Sequence, residues 1–166
     1  RNERVKVDIP GRFSVYNALA AICVCKELGV TPETIKEALL EVKVPGRSEM
    51  VSNKLDIPIM IDYAHSPESL ESILKAVSSY TRGRVISVFG CGGDRDSRKR
   101  PIMGEISGKI ADHTIITSDN TRTEDPESIA KQIESGIKKT KGSYEIVLDR
   151  KQAIEKALKM ANNKDM

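Results

Sequence analysis

The spacing of apolar positions changes character along the chain. Between residues 14 and 28, Ala18, Ala21, Ile22 and Cys25 recur at helical intervals, which predicts an amphipathic helix closed by Gly29. Thr31-Pro32-Glu33-Thr34 opens a second helix that runs to about Glu41. The same opening recurs at Ser66-Pro67-Glu68-Ser69 and Asp125-Pro126-Glu127-Ser128. Each places a capping side chain before a proline at the first helical position, with an acid in the first turn. These segments therefore read as helix starts and not as phosphorylation sites. Val44-Pro45-Gly46-Arg47 breaks the helical period and marks a candidate domain boundary. Beyond it the period alternates. Strands are predicted over 49–52 and 58–62, as a hairpin-like pair, then a helix over 67–79. Next come a strand over 84–89, a helix over 101–110 and a strand over 113–117. The last three elements are a helix over 126–139, a strand over 144–148 and a helix over 150–161. Strands alternating with helices predict an α/β fold with a mostly parallel sheet, helices on both faces and right-handed crossovers.

An open parallel sheet binds ligands beyond the carboxyl ends of its strands. The residues just beyond each predicted strand are therefore informative. Asp62-Tyr63-Ala64-His65 lies after the second strand, and Gly90-Cys91-Gly92-Gly93-Asp94-Arg95-Asp96 after the third. Ser118-Asp119-Asn120-Thr121-Arg122 lies after the fourth, and Asp149-Arg150 after the fifth. Taken singly, most of these have a structural explanation. Asp62 suits a strand-end acid, His65 a loop histidine, Arg95 and Asp96 a solvated ion pair, and Asp119 and Asn120 turn formers. Asp149, three residues before Gln152, reads as a helix cap. Their joint placement on one edge favours a site. Arg95 and Arg122 there suit a bidentate grip on carboxylates. The glycine run lacks GxGxxG spacing, and the chain contains no G-x-x-x-x-G-K-[ST]. If nucleotide chemistry takes place here, the main phosphate cradle lies outside these residues.

Composition narrows the class. The chain has 166 residues, 31% charged and 39% hydrophobic, enough for one ordinary domain with a real core. A net charge of +3, with two Phe and four Tyr, does not suggest nucleic-acid binding. No apolar run approaches the ~20 residues of a membrane span. Cys23, Cys25 and Cys91 lack metal-ligand spacing and suggest reduced thiols in a cytoplasmic compartment.

Five segments in order resemble the Mur ligases of peptidoglycan synthesis: Pro10-Gly11-Arg12-Phe13-Ser14-Val15-Tyr16-Asn17; Val44-Pro45-Gly46-Arg47-Ser48-Glu49; Asp62-Tyr63-Ala64-His65-Ser66-Pro67; Phe89 to Asp96 with Lys99-Arg100-Pro101; and Ser118-Asp119-Asn120-Thr121-Arg122. The resemblance implies a piece of a three-domain enzyme. Residues 1–44 would be the helical end of the central ATPase domain. Residues 45–166 would be most of the Rossmann-like C-terminal domain, truncated, which brings the incoming amino acid. The implied reaction is ATP-dependent formation of an acyl phosphate on the D-glutamate of UDP-N-acetylmuramoyl-L-alanyl-D-glutamate. The amino group of meso-diaminopimelate then attacks it through a tetrahedral intermediate, with Mg2+ neutralising phosphate charge. By position, Asn17 and Arg47 would contact the adenine and ribose side of ATP. Asp62 and His65 would approach the phosphates. Arg95, Asp119, Asn120, Thr121 and Arg122 would hold the amino acid.

Two positions depart from the family pattern. Ser14 stands where Asn is usual, and Thr121 replaces the proline of an Asp-Asn-Pro-Arg motif. The family P-loop, its carbamylated lysine and a Gly-Lys-Gly-His-Glu segment expected soon after Met166 are absent from the chain. Alone, these residues are expected to lack ligase activity. Two alternatives stay open: the same reaction with L-lysine, and a non-catalytic Rossmann-like binding module. Lysine lacks a distal carboxylate, so an unpaired Arg122 would disfavour it.

Overall fold

The computed structural model describes residues 4–7 and 9–166; residues 1–3 and 8, inside the expected helical segment 1–44, lie outside that description. Two compact units are present. One comprises Arg1–Glu49 with Ile61–Tyr63, the other Met50–Met60 with Ala64–Met166.

The first unit holds α1 (Arg12–Glu27) and α2 (Pro32–Glu41). Gly11, at φ 101°, turns the chain into α1. At its far end Gly29 takes φ 78°, the Gly29 N–H donates to Lys26 O, and the Val30 N–H to Cys25 O. That pair of bonds is a Schellman closure, which requires the left-handed residue that Gly29 supplies. In α2 the Thr31 hydroxyl accepts from the Thr34 N–H, as the spacing predicts. Val15, Tyr16, Leu19 and Val24 of α1 are exposed.

β1 (Glu49–Met50) and β2 (Met60–Ile61) pair as a two-stranded sheet, shorter than the sequence predicts. The Asn53 side chain explains the difference. Its Nδ2 donates to Val51 O and Ile57 O, and its Oδ1 accepts from the Leu55 N–H. These are backbone groups that a longer ladder would otherwise pair.

The second unit is built on β3 (Ile86–Phe89), β4 (His113–Ile116) and β5 (Ser143–Ile146), in the order β3-β4-β5. Both pairings are parallel, with Ile86 opposite His113 and His113 opposite Ser143. The α/β architecture with a parallel sheet flanked by helices is thus as predicted. The helices are α3 (Pro67–Ser78), α4 (Lys99–Ile110), α5 (Pro126–Ile137) and α6 (Arg150–Met160). Three start on side-chain caps: Ser66 accepts from the Ser69 N–H, Asp125 from Ser128 and Asp149 from Gln152. The core gathers Met103, Ile115, Ile116, Ile133, Ile137 and Ala153, all at 1% exposure or less. Strand alternation puts Thr114, whose hydroxyl meets that of Ser107 on α4, and Ile115 on opposite faces of β4.

Residues after α6 return to the outer edge of β3. The Met166 N–H donates to Arg84 O, and the Ile86 N–H donates to Met166 O. This is parallel pairing, one bridge long. The Asp165 carboxylate, 1% exposed, accepts from the Arg84 N–H, the Arg84 guanidinium and the Asn162 N–H. The Arg84 contact holds it below the usual aspartate range.

Candidate functional site

Two loops leave the carboxyl ends of neighbouring parallel strands, Gly90–Asp96 after β3 and Ser118–Arg122 after β4. They are bonded to each other. The Gly93 N–H donates to Asn120 O at 2.9 Å, and Arg122 Nη1 donates to Gly93 O at 2.7 Å. Asp94 takes Thr123 from the other side, accepting its hydroxyl at 2.7 Å and its N–H at 3.3 Å. The approach is close enough to demand glycine. A Cβ on Gly93 would lie 1.9 Å from Thr121 O, and one on Gly90 2.2 Å from Thr117 O. Two non-glycine residues adopt left-handed backbone here, Asp94 at φ 52° and Arg122 at φ 50°. Such conformations persist only where their surroundings fix them.

The predicted amino-acid residues converge on this pair of loops. Arg95, Asp119, Asn120 and Arg122 are exposed, and Thr121 is half-buried. A Cβ on Gly92 would stand 3.0 Å from Arg122 Nη1 and 3.9 Å from Arg95 Cγ, so the two arginine side chains flank Gly92. Arg95 makes no hydrogen bond or ion pair among the described residues, which leaves its guanidinium to solvent or ligand. Asp96 pairs with Arg98 instead, at 2.9 Å. Asp119 Oδ1 accepts the Asn120 N–H at 2.8 Å, and the residue is exposed. The loops thus offer two cationic side chains and three exposed carboxylates, of which Asp94 is engaged by Thr123 and Asp96 by Arg98.

The remaining predicted residues are divided between the units. His65 belongs to the second. Its N–H donates to Ser69 Oγ in the α3 cap, and its carbonyl accepts Lys99 Nζ at 2.7 Å. Asn17, Arg47 and Asp62 belong to the first. Asn17 is exposed on α1. The Arg47 guanidinium lies 4.6 Å above the Tyr63 ring, a stacking cation–π contact. Asp62 Oδ2 accepts the Ser48 N–H at 2.8 Å, with Ser48 at φ 46°. Ser14 is buried at the start of α1, its hydroxyl donating to Pro10 O.

Sequence reasoning missed Arg100, Glu124 and Gln132. Arg100 is fully buried at the start of α4. It donates to both Glu124 carboxylate oxygens (2.7 and 2.8 Å), to Gln132 Oε1 (2.9 Å) and to Gly92 O (3.1 Å). Glu124 Oε1 also accepts the Asp94 N–H at 2.6 Å. The hydrogen bonds from Arg100 pull the Glu124 carboxyl down to about 2. Arg100 looked like one of three consecutive basic residues, and nothing in Arg98-Lys99-Arg100 marks which one turns inward. Cys91 is buried against Met103, and burial pushes its thiol up to about 11. No cluster of three or more His, Cys, Asp or Glu side chains able to hold a metal exists among the described residues.

The sequence model described as Mur ligase, glutamate ligase domain, matches residues 46–166. The chain belongs to the Mur ligase family. UDP-N-acetylmuramoyl-L-alanyl-D-glutamate–2,6-diaminopimelate ligase 1 of Clostridium acetobutylicum is 51% identical over 99% of the chain. The similarly named ligase of Caldanaerobacter subterraneus subsp. tengcongensis is 50% identical over all of it. This Mur ligase chain spans about a third, 34%, of the length of each. Among solved structures, a UDP-N-acetylmuramoyl-L-alanyl-D-glutamate–2,6-diaminopimelate ligase superposes with TM-score 0.68 at 33% identity, covering 97% of this chain and 33% of that one. A pseudomurein peptide ligase type C from Methanothermus fervidus gives 0.75 at 28% identity, covering 99% and 34%. The Mur ligase fold therefore extends over nearly all of the chain.

Proposed function

We propose that the chain is the amino-acid-binding part of a cytoplasmic ATP-dependent ligase that joins meso-diaminopimelate to UDP-N-acetylmuramoyl-L-alanyl-D-glutamate. The observation that carries this is the exposed Arg95 beside Arg122 and Asp119, at the carboxyl ends of adjacent parallel strands, in a chain about half identical to ligases of that name. Diaminopimelate has an ammonium and a carboxylate at its far end. A guanidinium pairs with the carboxylate through two parallel bonds, and the Asp119 carboxylate pairs with the ammonium. Asn120 and Thr121 supply polar atoms and shape beside them.

The overall reaction forms one bond at a time. A D-glutamate carboxylate oxygen attacks the terminal phosphorus of ATP, and ADP leaves. The diaminopimelate nitrogen then attacks the acyl carbon, and the tetrahedral adduct expels phosphate as the nitrogen loses a proton. This chain's part is to bind and orient the nucleophile, which converts a bimolecular encounter into an oriented one. Arg47, stacked on Tyr63, and Asn17 would contact the nucleoside of ATP. Asp62 and His65 would approach its phosphates from the loop after β2. A magnesium ion bound by the full-length enzyme would neutralise phosphate charge. In this reading residues 1–44 are the end of the central domain and 45–166 most of the C-terminal domain. The exposed apolar side chains of α1 support that assignment, because such a face is suited to packing on further structure.

The deciding experiment is steady-state kinetics on the full-length protein with Arg122→Ala. KM for meso-diaminopimelate should rise at least about tenfold, as expected for a lost charge-assisted contact, with KM for ATP nearly unchanged. Equal effects on both substrates, or faster turnover of L-lysine than of diaminopimelate by the unaltered protein, would overturn the substrate assignment.

A further inference from the structure

We propose that Arg100 and Glu124 are positioning residues for the amino-acid substrate, forming an ion pair between a fully buried guanidinium and a half-buried carboxylate that joins the glycine loop to the loop after β4 and so sets the spacing of Arg95 and Arg122. The inference rests on the reading that these two loops receive the incoming amino acid.

The bonding pattern carries it. Arg100 has no exposed surface, and its four hydrogen bonds reach Glu124 beyond the second loop, Gly92 in the first loop and Gln132 on α5. Its Nε has no partner among the described residues. Glu124 passes the connection on by accepting the Asp94 N–H, and Asp94 accepts from Thr123. Adjacent carbonyls of the glycine loop are thus held by two arginines. Arg100 takes Gly92 O from the buried side, and Arg122 takes Gly93 O from the exposed side.

Stability alone does not account for a charge in this place. Desolvating the Arg100 guanidinium is costly, and an apolar pair of similar volume is often equally stable. What an apolar pair lacks is directionality. A guanidinium fork fixes several acceptors at once, in one plane, with angles that a lysine ammonium does not reproduce. The loops are held together before any ligand arrives, and substrate positioning errors of about 1 Å are enough to cost large factors in rate.

The test uses the full-length protein and three variants: Arg100→Lys, Glu124→Gln, and the double change Arg100→Met with Glu124→Leu. The double variant replaces the pair by an apolar one and guards against simple misfolding. In each, KM for meso-diaminopimelate should rise about tenfold with KM for ATP within about twofold, and preference over L-lysine should narrow. Unchanged diaminopimelate KM in folded variants, or parallel rises for ATP and diaminopimelate, would overturn the proposal. Arg122→Ala run alongside separates the two failures. If it leaves diaminopimelate KM unchanged, the amino-acid reading falls and the proposal with it. If it raises that KM while the three clamp variants do not, only the positioning role is lost.

Discussion

Gly93 shows why a single hydrogen atom matters at this site. Its missing side chain lets the Thr121 carbonyl approach to a place where any Cβ would overlap it. Gly93→Ala should therefore push the loops apart, costing about 1–3 kcal/mol of stability and, on the proposed function, weakening amino-acid binding. Denaturant unfolding and diaminopimelate KM would record both. Glu124 offers a pH signature. Its carboxyl sits near 2 when folded, against 4.5 in an unperturbed chain. A lowered folded value stabilises above the unfolded value, and that contribution fades as pH drops from about 4.5 through 2. The Tm gap between the unaltered protein and Glu124→Gln should be constant from pH 6 to 8 and should close in that acid window. Cysteine labelling discriminates similarly. Exposed Cys23 should react with iodoacetamide at pH 8, while Cys91, buried and titrating near 11, should stay unmodified until unfolding. Much of this scale was legible. Glycines, Arg95 and Arg122 stood out because their types are unusual after a strand. Arg100 did not, because burial of one arginine among three basic neighbours is decided by tertiary packing.

Helix and strand boundaries obeyed local chemistry wherever a side chain made the first bond. Thr31, Ser66, Asp125 and Asp149 all accept the N–H three residues on, as their spacing predicted. The start of α4 differs: no side chain caps it, and the helix begins two residues before Pro101, earlier than pattern alone suggested. The junction between α4 and α5 was invisible in sequence. Cβ atoms on Gly104 and Gly136 would come within 2.0 Å of Ile133 O and 1.8 Å of Pro101 O, so the two helices touch backbone to backbone. Isolated glycines in a helical pattern read as weak helix positions, and only the packed partner reveals their purpose. Gly136→Ala should gain helix propensity yet lose about 1–3 kcal/mol overall through overpacking. Thermal unfolding monitored by circular dichroism checks the sign.

Across the whole molecule, alternation of strand and helix sufficed to predict the parallel sheet, because each crossover needs a helix to return the chain. The edge beside β3 was not predicted. Asp165 is buried there and tied to Arg84. Asp165→Ala would leave the Arg84 and Asn162 amides short of an acceptor and should cost about 2–3 kcal/mol, measurable as a lowered urea midpoint with unchanged slope. The partners are 81 residues apart in sequence. That separation has a consequence during synthesis. When translation has passed β5 and α6, three strands are available to pair, but the Arg84–Ile86 end of the outer edge of β3 stays unpaired until residues 165 and 166 leave the ribosome. Its backbone groups are open meanwhile to any other extended chain. Docking of Arg84 on Asp165 closes a long loop, a slow class of event in folding. The interval before it closes is when that end of β3 is open to pairing with the wrong strand.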